Sequence, residues 1–536
     1  MRRVVLTFVV VQWLTVLATA LVVRHASWIY YQGGDQLWLY TSGWLLAHGH
    51  LTQTRVGYGL PALYAPVARI AGPNLVSALP AIIVFNVLVL LPAAVLSLYG
   101  IAARIGGRLF GYWTLLVWIT VPFIGVLYTN QGYHQRYTEL TLPQSFGLTA
   151  MADMPTTAFT LVAAYFCTKV LFDATPTYLD AVAAGVAAGA AIAIKPATVL
   201  FLAGPALALA YRRRLLHAAA IVAGLAPAVV ALAVWKARGL GQVPLLSRGA
   251  PHEPTGLAAA QPLAGLNVGQ YLHQLNWGHF LNNLDLLREH FWSGRLLEWL
   301  VIAGLIALAR RSVTAALLIG GWFFAFAIVK GTFTGASIED ASLLRLMMPA
   351  FPAFILLLAS LPYLVPGVPG RGAARPPAPS RLRLRTRWTL VGAALVVSAL
   401  VPAVAFAAAK TGPGLDAASI GTAIFPIPAN VDIGLTARVH RNRVALAWRG
   451  QHPAGGPVFY RVWRGRTDGL TCPQQAGGRI CNVTIPEVGV SRVGQFLDRP
   501  PPGRWFYRVA VAANWLDDPQ YGDPYEVSRA VAITVP

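Results

Sequence analysis

Long apolar runs constrain this chain more than any motif does. They lie at 1–23, 75–103, 109–128, 155–172, 179–194, 197–211, 215–235, 296–309, 313–329, 346–364 and 388–409. That is roughly eleven, most near the 17–25 residues a helix needs to cross a bilayer core. The predicted class is a polytopic α-helical membrane protein. Composition agrees: 56% of the 536 residues are hydrophobic and 12% charged, with a mean hydropathy of +0.56. Arg2 and Arg3 precede the first run, and Arg24 and His25 follow it where a cleaved signal peptide would carry small residues, so the run reads as an anchor.

The formal net charge of +22 would suit a nucleic-acid binder, but the basic residues cluster at the ends of the apolar runs, as the positive-inside rule describes. Arg2/Arg3, Arg104/Arg108, Arg212/Arg213/Arg214, Arg310/Arg311 and the arginines of 371–387 all fall on one side if the spans number eleven. That count requires 179–211 to be split at Lys195-Pro196 into two short helices, a break tolerated where backbone is buried in protein or lines a cavity. The usage of Ala, Arg, Gly and Pro over Lys points to a bacterium. The expected location is its plasma membrane, with a cytoplasmic N-terminus, anionic lipid as a partner and no role for nucleic acid. The external side then receives nearly all the acids outside the C-terminal region: Asp35, Glu139, Asp153, Glu253, Asp285, Glu289, Glu298, Glu339 and Asp340.

The expected domains are a transmembrane module at 1–365, a cytoplasmic Pro/Arg-rich linker at 366–387, a final span at 388–409, a second linker at 410–429 and an extracytoplasmic domain at 430–536. In the last, RVALAW, VFYRVWRG, RICNVTI and GRWFYRVAVAAN alternate apolar and polar positions between turn signals, which predicts roughly seven strands in an all-β sandwich. With Trp448, Tyr460 and Tyr507 at its core positions, this region resembles a fibronectin type III domain of the immunoglobulin-like class. The resemblance implies a binding or spacing module, with Trp463, Trp505 or Trp515 as candidate sugar platforms, some of them belonging instead to the core. Cys472 and Cys481 are a candidate disulfide, the alternative being two free thiols; Cys167, within a span, reads as a small core residue.

Chemistry concentrates in the first external stretch, YYQGGDQLWLYTSGWLLAHGHLTQTRVGYGLPALYAP at 30–66, where Asp35 is set among Trp28, Tyr30, Tyr31, Trp38, Tyr40 and Trp44. Such aromatics suit the membrane–water boundary. Asp35 is either a general base or the cap of a helix starting at Gln36. Asp153, just before Pro155, is either a second carboxylate, orienting an acceptor or holding a divalent cation, or a helix cap. Lys195 is an intramembrane charge beside a proline, costly to bury and so a functional candidate. It and Arg345 can neutralise a phosphate. The structural alternatives are an ion pair of Lys195 with Asp153, and for Arg345 either snorkelling to the interface or an ion pair with Glu339 or Asp340. Tyr58, His134, Arg136 and Glu339 are candidate cavity-lining residues.

The order GGDQLWLYTSGWLLAHG, YGLPALYAPVARIAG, ADMPTTAFTLVAAY, AAGAAIAIKPATVLFLAGPALAL and LRLMMPAFPAFILLLA over residues 1 to 365 resembles the GT-C glycosyltransferases that use polyprenyl-phosphate sugars. Protein O-mannosyltransferases, lipid A aminoarabinose transferases and mycobacterial arabinosyltransferases belong to that group. The resemblance implies Asp35 as the essential acid of the first loop, Lys195 and Arg345 as contacts of the donor phosphate, and inverting transfer of a sugar such as arabinose or mannose to an external glycan, lipid or protein in envelope biogenesis. Members often carry a second acid beside the first; here Gln36 stands there. A divalent cation is the one cofactor candidate, and its ligands are undetermined. The rival expectation is a transporter or flippase for polyprenyl-linked glycans, which also uses broken helices and midplane charges.

Overall fold

In the computed structural model, residues 2–22, 35–47, 57–72, 75–130, 133, 137, 147–235, 275–291, 294–339, 342–365, 384–408, 423–426, 429–440, 442–449, 459–471, 474–475, 478–483, 485, 487–491, 493–512 and 524–536 are described. The helices among them are α1 (Arg2–Val22), α2 (Asp35–Ala47), α3 (Gly59–Ala71), α4 (Leu75–Phe85), α5 (Leu91–Gly106), α6 (Arg108–Tyr128), α7 (Asp153–Phe172), α8 (Tyr178–Ile194), α9 (Ala203–Tyr211), α10 (Leu215–Trp235), α11 (Trp277–His290), α12 (Gly294–Arg311), α13 (Val313–Gly331), α14 (Ser342–Met347), α15 (Phe351–Ala359) and α16 (Leu384–Ala408). Every expected apolar run is helical.

Among the described residues, six stretches are long and apolar enough to cross a membrane: Ala78–Gly106, Arg108–Tyr128, Asp153–Phe172, Leu215–Val234, Val313–Gly331 and Ser342–Leu364. Shorter apolar helices occupy Arg3–Thr19, Tyr178–Ile194, Pro196–Tyr211 and Gly392–Ala405. α12 has the length, but Arg295, Glu298, Arg310 and Arg311 crowd its two ends. The chain is a polytopic membrane protein.

The break at Lys195 is present. α8 stops at Ile194, Lys195 is extended at φ −127°, ψ 102°, and Pro196–Leu202 continues as a 3-10 helix. Proline lacks an N–H and pushes the residue before it out of the helical region, so this dipeptide is where an apolar helix of this length gives way. A second irregularity, a π-helical turn at Asn86–Leu90, was not signalled by the sequence. There the buried Asn86 amide donates to the Thr149 carbonyl at 3.0 Å.

Close approach between helices uses small residues, since lipid offers no hydrophobic gain for pairing them. A Cβ added at Gly185 would lie 2.0 Å from the Ile221 carbonyl oxygen, and one at Gly224 2.3 Å from that of Val182, so α8 and α10 are in backbone contact. The largest apolar cluster gathers Trp118, Trp322, Phe201, Phe326, Leu318 and Ile355.

Polar contacts separate the two ends of the bundle. At one, Arg104 Nε meets Asp173 Oδ1 at 2.9 Å, Lys169 pairs with Asp180, and Arg310 donates to the Leu364 carbonyl at 3.0 Å. The basic ends of α5 (Arg104), α7 (Lys169) and α12 (Arg310, Arg311) lie at this end, where Arg311 Nε donates to the Ile105 carbonyl at 3.4 Å. The opposite end receives the start of α7, the ends of α8 and α13, and α14.

The β region begins at Ala423, before the expected 430. The strand Ala423–Pro426 pairs with Gly478–Val483, in antiparallel register from Ala423 opposite Val483 to Pro426 opposite Ile480. Flanking prolines at 426 and 428 made this strand read as linker. The central strand, Gly503–Ala512, pairs antiparallel with Phe459–Gly465, Pro524–Ser528 and Val531–Val535; a separate three-stranded sheet holds Thr436–His440, Arg443–Ala447 and Gln495–Asp498. Trp448, Tyr460 and Tyr507 are buried in one core, as expected.

Trp463 and Trp505 are buried too, which corrects their placement as sugar platforms. The Trp505 ring carries the guanidinium groups of Arg464 at 4.8 Å and Arg466 at 3.6 Å. Trp515 lies outside the described residues.

Candidate functional site

Asp153 is the first residue of α7 and is completely buried. The start of a helix presents unpaired N–H groups and the positive end of its dipole, so a carboxylate is tolerated there. Its Oδ1 receives Lys195 Nζ at 2.5 Å. Its Oδ2 lies 3.9 Å from Arg345 Nη2 and accepts no hydrogen bond among the described residues. A side-chain cap is not what Asp153 provides: Ala152 holds the cap position. The ion pair with Asp153 that was the structural alternative for Lys195 is observed, and Asp153, Lys195 and Arg345 come together from three helix ends.

The first loop reaches the same place through its two flanks. At its start, Gln36 Oε1 accepts the Ala150 N–H at 2.9 Å, three residues before Asp153. This ties the first turn of α2, and the backbone of Asp35 with it, to the entrance of α7. At its end, Gly57 N–H donates to the Ile194 carbonyl at 3.2 Å. A Cβ on Gly57 would fall 1.8 Å from the Ala193 carbonyl oxygen, and one on Gly59 2.7 Å from Ala193 C. Glycine is required on both sides of Tyr58 because α3 starts on the backbone that leads into Lys195.

Tyr64, on α3, donates to the Ala150 carbonyl at 2.9 Å. Burial first, and then the nearby Asp153 charge, push its phenol above the ordinary value, so it stays a neutral donor.

Lys330 and Arg345 arrive from the turn that joins α13 to α14. Asn283 makes the most bonds to that turn among the described side chains. Asn283 of α11, itself buried, donates to the carbonyls of Gly331 at 3.2 Å and Ala336 at 3.0 Å and accepts the Ile338 N–H at 3.1 Å. Tyr133 donates to the Ile338 carbonyl at 2.5 Å. Lys330 is 3% exposed, its ammonium 5.5 Å from the centre of the Phe333 ring.

The remaining expected residues fall less centrally. Tyr58 stands at the break, but its hydroxyl donates to Ala228 of α10 at 3.2 Å. Glu339 is exposed, its N–H held by Ser337 Oγ at 3.1 Å. The Asp35 side chain, His134, Arg136, Cys472 and the Cys481 side chain lie outside the described residues. No group of three His, Cys, Asp or Glu that would hold a metal occurs among the described residues. Sequence reasoning passed over Lys330, Gln36 and Asn283. For Lys330 a signal was present, a lysine closing an otherwise apolar helix; for the other two there was none.

No protein-family model and no curated protein matches the chain. Three solved structures resemble it. ArnT from Cupriavidus metallidurans bound to undecaprenyl phosphate is 16% identical over 73% of this chain and 63% of its own, with a TM-score of 0.42. The same protein in the apo state gives 14%, 77%, 78% and 0.44, and the Archaeoglobus fulgidus oligosaccharyltransferase in the apo form 13%, 77%, 57% and 0.41. The chain thus spans less than two thirds of the first and third. The aminoarabinose transferase and the oligosaccharyltransferase belong to the superfamily that the sequence resembles. At such identities and scores they assign no activity to it.

Proposed function

We propose that the chain is a membrane glycosyltransferase that moves a sugar from a polyprenyl-phosphate donor to an extracytoplasmic acceptor, with inversion. The observation that carries this reading is the pair of the buried Asp153 with the half-buried Lys195 at a helix break, with Arg345 3.9 Å from the same carboxylate. Intramembrane charges of this kind are costly and are kept for function. In the reading, the lipid phosphate takes up Lys195 and Arg345, and the acceptor hydroxyl attacks the anomeric carbon. The glycosidic C–O bond forms as the bond to the phosphate oxygen breaks with its electron pair, and the hydroxyl proton passes to the Asp35 carboxylate. Gln36 and Gly57 support the geometry by holding the two flanks of the Asp35 loop against α7 and the Lys195 break.

The arginine-rich end faces the cytoplasm in this proposal, by the positive-inside rule, and the β region, fibronectin III-like, holds or spaces the acceptor outside. The donor sugar is arabinose or mannose in the first instance, from the sequence resemblance.

The test is transfer from radiolabelled polyprenyl-phosphate arabinose, mannose and glucose by the protein in nanodiscs, with and without Asp35→Asn. Transfer from one donor, lost in the variant, supports the reading; transfer retained by a folded Asp35→Asn protein overturns the base assignment. The break at Lys195 also suits a flippase. Lipid movement without any transfer in the same preparation would favour that second reading.

A further inference from the structure

Lys195 is taken up by Asp153, whereas Lys330, at the turn that also brings in Arg345, is buried to 3% exposure against the Phe333 face with no carboxylate within 4 Å among the described residues. A buried ammonium without a counter-ion is destabilising on its own. The fold nonetheless fixes it, through the three Asn283 bonds to the turn that starts at Gly331. A cation held at such cost is complementary to an anion that none of the described residues supplies.

The proposed reaction makes one. A donor phosphodiester carries a single negative charge; when the anomeric C–O bond breaks, its electron pair moves to the phosphate and leaves a monoester of about −1.5 to −2 at pH 7. Lys195 is already neutralised in the ground state, so its attraction for that phosphate is partly offset by Asp153. We infer that Lys330 is the cation that meets the charge developing on the leaving phosphate, so that the site prefers the polyprenyl monoester product over the diester donor. This rests on the proposed function. Because only interactions that strengthen towards the transition state raise kcat, loss of Lys330 acts on kcat more than on donor KM.

The experiment compares two probes, a polyprenyl phosphate and its methyl diester, which share lipid and phosphate but differ by one charge. Binding to the full chain in nanodiscs is measured at pH 7.5 and at pH 5, below the monoester's second pKa of about 6. The wild type is expected to bind the monoester tighter, by about tenfold for one charge-assisted hydrogen bond, with the preference fading at pH 5. Lys330→Met removes that preference and raises Tm, while Lys330→Arg keeps it. If Lys330→Met does not fold, Lys330→Gln serves the same comparison. An unchanged monoester preference in a folded variant overturns the inference and leaves the proposed function standing. Failure of the wild type to bind either probe overturns both.

Discussion

Asp153 and Lys195 meet at 2.5 Å across 42 residues of sequence, with the carboxylate wholly buried at the start of one helix and the ammonium at the break that ends another. The contact joins α7 to α8 and places a charge pair where a membrane protein can hold one only with both partners present. Removing one partner leaves the other buried and uncompensated. Asp153→Asn is expected to lower stability by about 3–5 kcal/mol. Asp153→Asn combined with Lys195→Met recovers most of that loss without restoring transfer. Unfolding midpoints of the two variants, read beside transfer activity, check the coupling; a double variant no more stable than Asp153→Asn would refute it.

Gln36 links the start of α2 to Ala150. Gln36→Ala leaves a buried N–H without an acceptor, a cost of about 1–3 kcal/mol, and frees the helix that begins at Asp35. Transfer should fall while polyprenyl phosphate binding at Lys195 and Arg345 is kept. Equal loss of binding and transfer in Gln36→Ala would show that the contact only stabilises.

Gly57 has no room for a side chain, whereas Gly392 on α16 has nothing within 4 Å of its Cβ direction. Gly57→Ala must push the Ala193 backbone, and with it Lys195, costing at least the 1–3 kcal/mol or so typical of overpacking. Gly392→Ala is expected to be neutral or to stabilise by up to about 1 kcal/mol, the helix-propensity difference. Expression yield and thermal midpoints of the two single variants decide this; a well-folded, active Gly57→Ala protein would contradict the packing described at the break.

In the β region, Asp498 is buried and accepts from Arg464 Nη1 and Tyr507 Oη, each at 2.7 Å. Tyr507→Phe removes one donor and is expected to cost about 1–3 kcal/mol. Asp498→Asn strands the buried Arg464 and costs about 3–5 kcal/mol. Near-ultraviolet circular dichroism during unfolding of the full chain follows this core. Trp505→Ala should likewise destabilise rather than only weaken glycan binding, since its ring is a floor for two arginines.

The helices were legible because each apolar run reports its own length, and the break because Lys-Pro carries its conformational cost within two residues. The ion pair was legible only as an alternative reading of Lys195. Sequence gives a charge's depth but not its partner, and Lys195 had equal claim to a ligand. Lys330 was hidden by position, since a lysine closing an apolar helix is what snorkelling to the interface looks like; only the turn folding back over it makes it buried. Asn283 and Gln36 are single polar residues whose roles lie in backbone atoms 53 and 114 residues away, which no local pattern records. The tryptophans were misplaced because alternation gives two faces without saying which is covered.

Asn283 makes three bonds to a turn of fixed length, to Gly331, Ala336 and Ile338. Adding or deleting a residue there breaks the register of at least one of them and shifts Lys330 relative to Arg345. The spacing of those two cations is therefore not open to adjustment by insertion. A version of this scaffold with a different donor preference has to be reached by exchanging side chains on the existing backbone, and a loop transplanted from a longer or shorter homologue would bring its own anchoring residue or none.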